Sequence, residues 1–218
     1  MKRTLYLLLL LASFFFGSCT NRAIYTSPAF HAKTKDHKTL AIIPFETIIN
    51  LRPNQMERLG PKRHKEMEQK EALAVQNALY SFFLKEKGKE NFAIDVQDIH
   101  KTNTLLYRHN ITQEDIKSYT YEELAEILGV DAIISGTLQT DKPLSDGAAL
   151  AMGLLLDTYA LPTNSGAASI AINDGQTGEL LWRYQKSLDR GLGSDTYTII
   201  SAIIRKASKK LPYEEREG

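Results

Sequence analysis

The sequence predicts one α/β (α+β) domain, a mixed β-sheet packed against helices, in the order β-α-β-α-α-β-β-β-α. Three observations predict it. Apolar runs of strand length alternate with helical periods in the first half. Residues 130–138, VDAIISGTL, give the strongest strand signal in the chain. Two later runs flank Asp174-Gly175-Gln176-Thr177-Gly178, a turn sequence that reads as a hairpin. Early strands that alternate with helices pair in parallel, and a late hairpin adds antiparallel strands.

Each element has a local reason. Residues 38–46, KTLAIIPFE, form a compact apolar run with β-branched content, and Pro44 must sit near its end because it cannot donate to a ladder. Residues 50–62 hold two prolines and a glycine and read as a loop. In residues 64–87, Ala72, Val75, Leu79, Phe82 and Phe83 fall on one helical stripe, and Gly88 suits the position beyond the helix. Residues 92–96 alternate as a short strand. Thr112 with Glu114 and Asp115 marks a short helix with an acidic first turn. Thr120 and Glu123 form a capping box for the next helix, which Leu124, Ile127 and Leu128 bury and Gly129 ends. Strands follow at 166–173 and 179–188. A final helix, capped by Ser194 or Asp195, carries Tyr197, Ile200, Ile204, Ala207 and Leu211 and stops at Pro212.

The amino-terminal residues carry the clearest functional signal. Lys2 and Arg3 precede an apolar run from Leu5 to Phe16, and Gly17 and Ser18 stand before Cys19, the only cysteine in the chain. The run is shorter than the roughly 20 residues that span a bilayer, so it reads as a secretory leader. A cysteine at the cleavage point has the form of a bacterial lipobox, although Phe16 replaces the usual Leu. Residues 1–18 are then the leader, Cys19 the acylated residue, 19–37 a polar tether, 38–213 the domain and 214–218 a tail. Several acyl chains on Cys19 would anchor the protein stably where one would not. Thr20 follows, and the absence of Asp there favours the outer membrane. Removing Lys2 and Arg3 from 27 basic residues leaves 25 against 26 acidic ones. This balance steers the chain toward neither nucleic acid nor an anionic surface.

No chemical constellation emerges from the spacing. His31, His37, His64, His100 and His109 fit no metal-ligand pattern and read as solvated. Ser135 and Ser194 lack the nucleophile-elbow context. Gly191 to Ser194 reads as a tight turn before a helix. Glu114 with Asp115, and Glu122 with Glu123, suit helix starts better than an acid/base pair. The basic Arg205, Lys206, Lys209 and Lys210 complement the end of a helix. No catalytic, cofactor or metal residue is expected. The segment 147–161 is apolar without alternation, which argues against a membrane β-hairpin. Its Leu150, Leu154, Leu155 and Tyr159, with Trp182 of the hairpin, are the candidate contact residues for a protein partner.

Four stretches together carry a resemblance: the lipobox, Ala41-Ile-Ile-Pro-Phe45, residues 106–134, and Asp174-Gly-Gln-Thr-Gly-Glu-Leu-Leu-Trp182. They resemble a bacterial lipoprotein family typified by a meningococcal surface antigen, within the wider group that includes CsgG and LpoB. The resemblance implies a TolB N-terminal-like fold in the cell envelope. With no catalytic set in the sequence, the domain is expected to act as a non-enzymatic assembly or adaptor module through a protein partner or homo-oligomer. A secretion-complex component and a small-ligand or cell-wall binding domain are the alternatives.

Overall fold

The computed structural model describes residues 24–87, 94–140, 166–188 and 213. The elements are β1 (Ile24–Thr26), α1 (Phe30–Thr34), β2 (Thr39–Ile42), β3 (Glu46–Ile49), α2 (Pro53–Leu59), α3 (Pro61–Lys87), β4 (Asp95–Val96), α4 (Ile99–Arg108), a 3-10 turn (Asp115–Ser118), α5 (Tyr121–Leu128), β5 (Ala132–Thr140), β6 (Gly166–Asp174) and β7 (Leu180–Leu188). The strands form one seven-stranded sheet in the order β1-β7-β6-β5-β2-β4, and β3 also pairs with β5. β2, β3 and β4 run in parallel contacts, while β5, β6, β7 and β1 are antiparallel. This is the mixed sheet that the sequence predicts. The expected final helix and the segment 147–161 lie outside the described residues.

The described helices cover the two faces unequally. On one face, Val75, Leu79, Phe82 and Phe83 of α3 pack on Leu40, Ile42, Ile134, Ile170, Ile172 and Trp182. The predicted stripe of this helix is therefore its buried face. On the other face, Leu106 of α4 and Leu124, Ala125 and Leu128 of α5 cover only Ala41, Ile43 and Ile133. The capping box forms as expected: the Thr120 amide donates to Glu123 Oε2 at 2.8 Å, and the Glu123 amide donates to Thr120 Oγ1 at 3.2 Å. Gly129 ends α5 at φ 65°, a conformation that glycine adopts without a Cβ penalty.

The single strand expected over 38–46 is two. Ile42 faces Ile134 and Glu46 faces Thr137, so four residue steps oppose three. The extra residue falls around Pro44, which has no amide hydrogen for the ladder. The bulge flips the parity of the chain. Thr47 and Ile49 share a face with Leu138 and Thr140, whereas Glu46 and Ile48 turn to the opposite face. Ile42 recovers a partner for its carbonyl, which accepts from Gln76 Nε2 at 2.7 Å.

Phe45 swings into the core beside Gly136, whose place a Cβ would contest with the Phe45 ring and the Ser169 carbonyl. We expect Gly136→Ala to destabilise the fold by about 1–3 kcal/mol through overpacking. Denaturant midpoints would show it; an unchanged midpoint would mean that the Phe45 ring moves aside freely.

Three further readings are corrected. Residues 50–62 are not a loop: α2 starts at Pro53 and α3 at Pro61, both at first-turn positions where a missing amide hydrogen costs nothing. Gly60, at φ 78°, separates the two helices. A whole helix, α4, occupies residues 99–108, which carried no prediction. From Ile24 onward the tether is part of the domain. β1 pairs with β7, the Ser27 amide donates to the Leu181 carbonyl at 2.8 Å, and Phe30 is fully buried.

Candidate functional site

Two polar centres lie on the sheet. The first is built by the hairpin turn. Asp174, 2% exposed, accepts from the Thr177 amide at 2.8 Å, Thr177 Oγ1 at 2.6 Å and His37 Nε2 at 3.0 Å. His37 Nδ1 lies 2.8 Å from the Tyr213 hydroxyl. Lys33 stands 3.9 Å from Asp174 and pairs with Glu179 at 2.8 Å. Burial alone would raise the Asp174 carboxyl. The hydrogen bonds from Thr177 and His37, with the Lys33 charge nearby, outweigh burial and hold it below the ordinary carboxylate range. Burial pushes the Tyr213 phenol well above its ordinary value, so it stays a neutral hydroxyl.

This centre holds the fold together. Asp131 Oδ2 accepts from the amides of Lys38 and Thr39 at 2.8 and 2.9 Å, and the Asp131 carbonyl accepts from the Gly175 amide at 2.8 Å. A Cβ on Gly175 would lie 2.8 Å from the Asp131 carbonyl oxygen and from the Ala125 Cβ. Glycine is therefore needed where the turn meets α5 and the start of β5. Gly178 takes φ 65° for the turn. The Gly129-Val-Asp131 and Asp174-to-Gly178 motifs thus touch one another, and each residue has a structural reason.

His37, expected in a solvated tether, is a member of this buried network. His64 also departs from expectation: its Nε2 lies 2.7 Å from the Ile49 carbonyl oxygen, and Glu68, one turn on, accepts from the Ile49 amide at 2.9 Å. These two side chains cap the edge of β3. His31, His100 and His109 are exposed, as expected.

The second centre is the half-sheet that α4 and α5 leave open. Register places Ser135, Ala171, Arg183 and Tyr25 in one row across β5, β6, β7 and β1. Glu46, Thr137, Ser169 and Gln185 form the next row. Ile48, Gln139, Ala167 and Ser187 form a third. Tyr25 is 48% and Ile48 41% exposed, at opposite edges of this polar surface. Where it meets α5 and the 3-10 turn it deepens into a cleft of about 790 Å³. Tyr119 and Tyr121 stand beside a floor of Ser135, Thr137, Ser169 and Asn173. Tyr121 Oη lies 3.0 Å from Ser135 Oγ, and Thr137 Oγ1 lies 2.9 Å from Ser169 Oγ.

Of the candidate contact residues, Cys19, Leu150, Leu154, Leu155 and Tyr159 lie outside the described residues. Trp182 is corrected: it is 1% exposed, stacked on Tyr184 at 6.3 Å within the α3-facing core, and presents no surface to a partner. The floor residues Ser169, Asn173 and Arg183 carried no expectation. The signal for Ser169 and Asn173 was in the alternation of β6, where Ala167, Ser169, Ala171 and Asn173 are small or polar and Ala168, Ile170 and Ile172 are apolar. Among the described residues, no group of three His, Cys, Asp or Glu could hold a metal ion. No described helix is long and apolar enough to cross a membrane.

No family model matches the chain, and no curated protein matches it. Similar solved structures include lipoprotein GNA1162 from Neisseria meningitidis, at 14% identity and a TM-score of 0.43, covering 79% of this chain and 99% of that one. A PelC dodecamer from Paraburkholderia phytofirmans aligns at 10% identity and a TM-score of 0.39, over 89% and 96%. The LpoB C-terminal domain from Escherichia coli aligns at 11% identity and a TM-score of 0.34, over 70% and 83%. The first and third belong to the lipoprotein groups that the sequence resembles.

Proposed function

We propose that this protein is a lipoprotein of the bacterial cell envelope, anchored to the outer membrane through Cys19, whose domain acts without catalysis by contacting other proteins. The observation that carries the reading is the open half-sheet. Three rows of side chains from five strands form a broad polar surface with an aromatic and an aliphatic residue at its edges. That mixture of polar area and exposed Tyr and Ile suits a protein interface better than bare solvent. The lipobox-like leader supplies the anchor, and residues 19–23 would join it to β1 through a tether much shorter than the sequence suggested. So short a link would hold the domain close to the membrane and limit the partners it meets.

The test is a photo-crosslinking residue placed at Gln185 in the whole chain, in native envelopes, with a control at Lys101 on α4. The expected result is an adduct of one defined mass from position 185, absent from position 101 and lost in the Cys19→Ala chain. No adduct from the sheet face would end the protein-contact reading. An adduct of equal yield without Cys19 would end the role of the anchor.

A further inference from the structure

Asn173 poses a specific problem in the cleft. It is 5% exposed, and its Nδ2 donates to the Gly178 carbonyl at 3.0 Å, which fixes the amide's orientation. Its Oδ1 is buried and meets no donor. A buried acceptor left unpaired costs free energy, and native proteins rarely tolerate one unless water or a ligand supplies the donor. The sheet register places Ser135 and Arg183 on the two sides of Ala171, one rung along from Asn173 on the same face. No carboxylate among the described residues pairs with Arg183, and it is exposed at the cleft.

We infer that the cleft binds an acidic N-acylated amino sugar. The ligand's amide N–H would donate to Asn173 Oδ1, its carboxylate would meet Arg183, and its hydroxyls would exchange hydrogen bonds with the Ser135–Tyr121 pair. Three features select this class. The floor is a sheet face, so it offers side-chain hydroxyls and no backbone edge for a peptide strand to pair with. Ser and Thr hydroxyls both donate and accept, which matches a polyol. The rings of Tyr119 and Tyr121 provide an aromatic wall for the apolar face of a pyranose. The volume of about 790 Å³ lies within the range of small-ligand sites and accommodates one or two sugar rings. The inference does not depend on the protein-contact reading, since the row of Ile48, Gln139, Ala167 and Ser187, with Tyr25 and Gln185, lies outside the cleft.

The experiment is calorimetric titration of the full-length protein in detergent with N-acetylmuramic acid. N-acetylglucosamine, which lacks the lactyl carboxylate, and the acidic dipeptide N-acetylglycylglutamate serve as comparisons. The parent protein should bind N-acetylmuramic acid at least about tenfold more tightly than N-acetylglucosamine, the expected worth of a charge-assisted pair. Arg183→Gln, at an exposed position, should fold normally and abolish that difference. Asn173→Ala should weaken both sugars. Tyr121→Phe keeps the ring, removes the hydroxyl and should also weaken both. No binding of either sugar, equal binding of the two, or tighter binding of the dipeptide would each overturn the inference.

Discussion

Asp174→Asn should destabilise the domain by about 2–4 kcal/mol, the cost of breaking charge-assisted hydrogen bonds at a buried carboxylate. The side chain is 2% exposed and accepts three hydrogen bonds within 3.0 Å. An amide there can keep one acceptor, but its NH2 group must face donors. The Lys33–Glu179 pair does not compensate, because it is solvent-screened. The same residue sets the acid limb of stability. Its carboxyl is held below the ordinary range in the folded protein, so its contribution is complete above the unfolded-state value. That contribution is lost as pH falls through the lower folded-state value. Denaturant midpoints measured from about pH 6 down to about pH 3 should fall steeply for the parent and less steeply for Asp174→Asn. Parallel acid limbs for the two chains would show that Asp174 is not a linked group.

The readable parts of this fold were those where local chemistry and tertiary packing ask for the same residue. The α5 capping box, Gly129 at positive φ and the Asp174-to-Gly178 turn each satisfy a backbone need that is visible within a few residues. The stripe of α3 was legible because large apolar side chains fall on one face. α4 was not, because it buries only Thr102 and Leu106. Thr102 packs through its hydroxyl, which donates to Gln97 Oε1 at 2.9 Å, so the buried face carries little apolar signal. The bulge at Pro44 was half legible. Proline announces a break in pairing, but only the register against β5 shows that the chain resumes on the same strand with its faces exchanged. The candidate site was hidden for a similar reason. Ser135, Ser169, Asn173 and Arg183 come from three strands, and only sheet pairing brings them together. Polar alternation in a strand reads as ordinary solvent exposure until the neighbouring strands are known to form a cleft above it.

Phe30→Ala should cost about 3–5 kcal/mol, the largest loss expected of any single truncation considered for this chain. A flexible tether predicts no loss at all, so the substitution separates the two accounts of residues 24–37. The ring of Phe30 is 0% exposed, meets Tyr213 edge-to-face at 5.3 Å, and belongs to the core cluster with Leu40, Ile94 and Trp182. Tyr25→Ala is the matched control. Tyr25 lies on the same amino-terminal segment but is 48% exposed, so its loss should cost far less. If both substitutions leave the thermal midpoint unchanged, β1 and α1 are not docked and the domain begins near residue 38. If only Phe30→Ala lowers it, the amino-terminal segment is a structural part of the domain. The docked segment then begins at β1, which pairing with β7 fixes to the edge of the sheet.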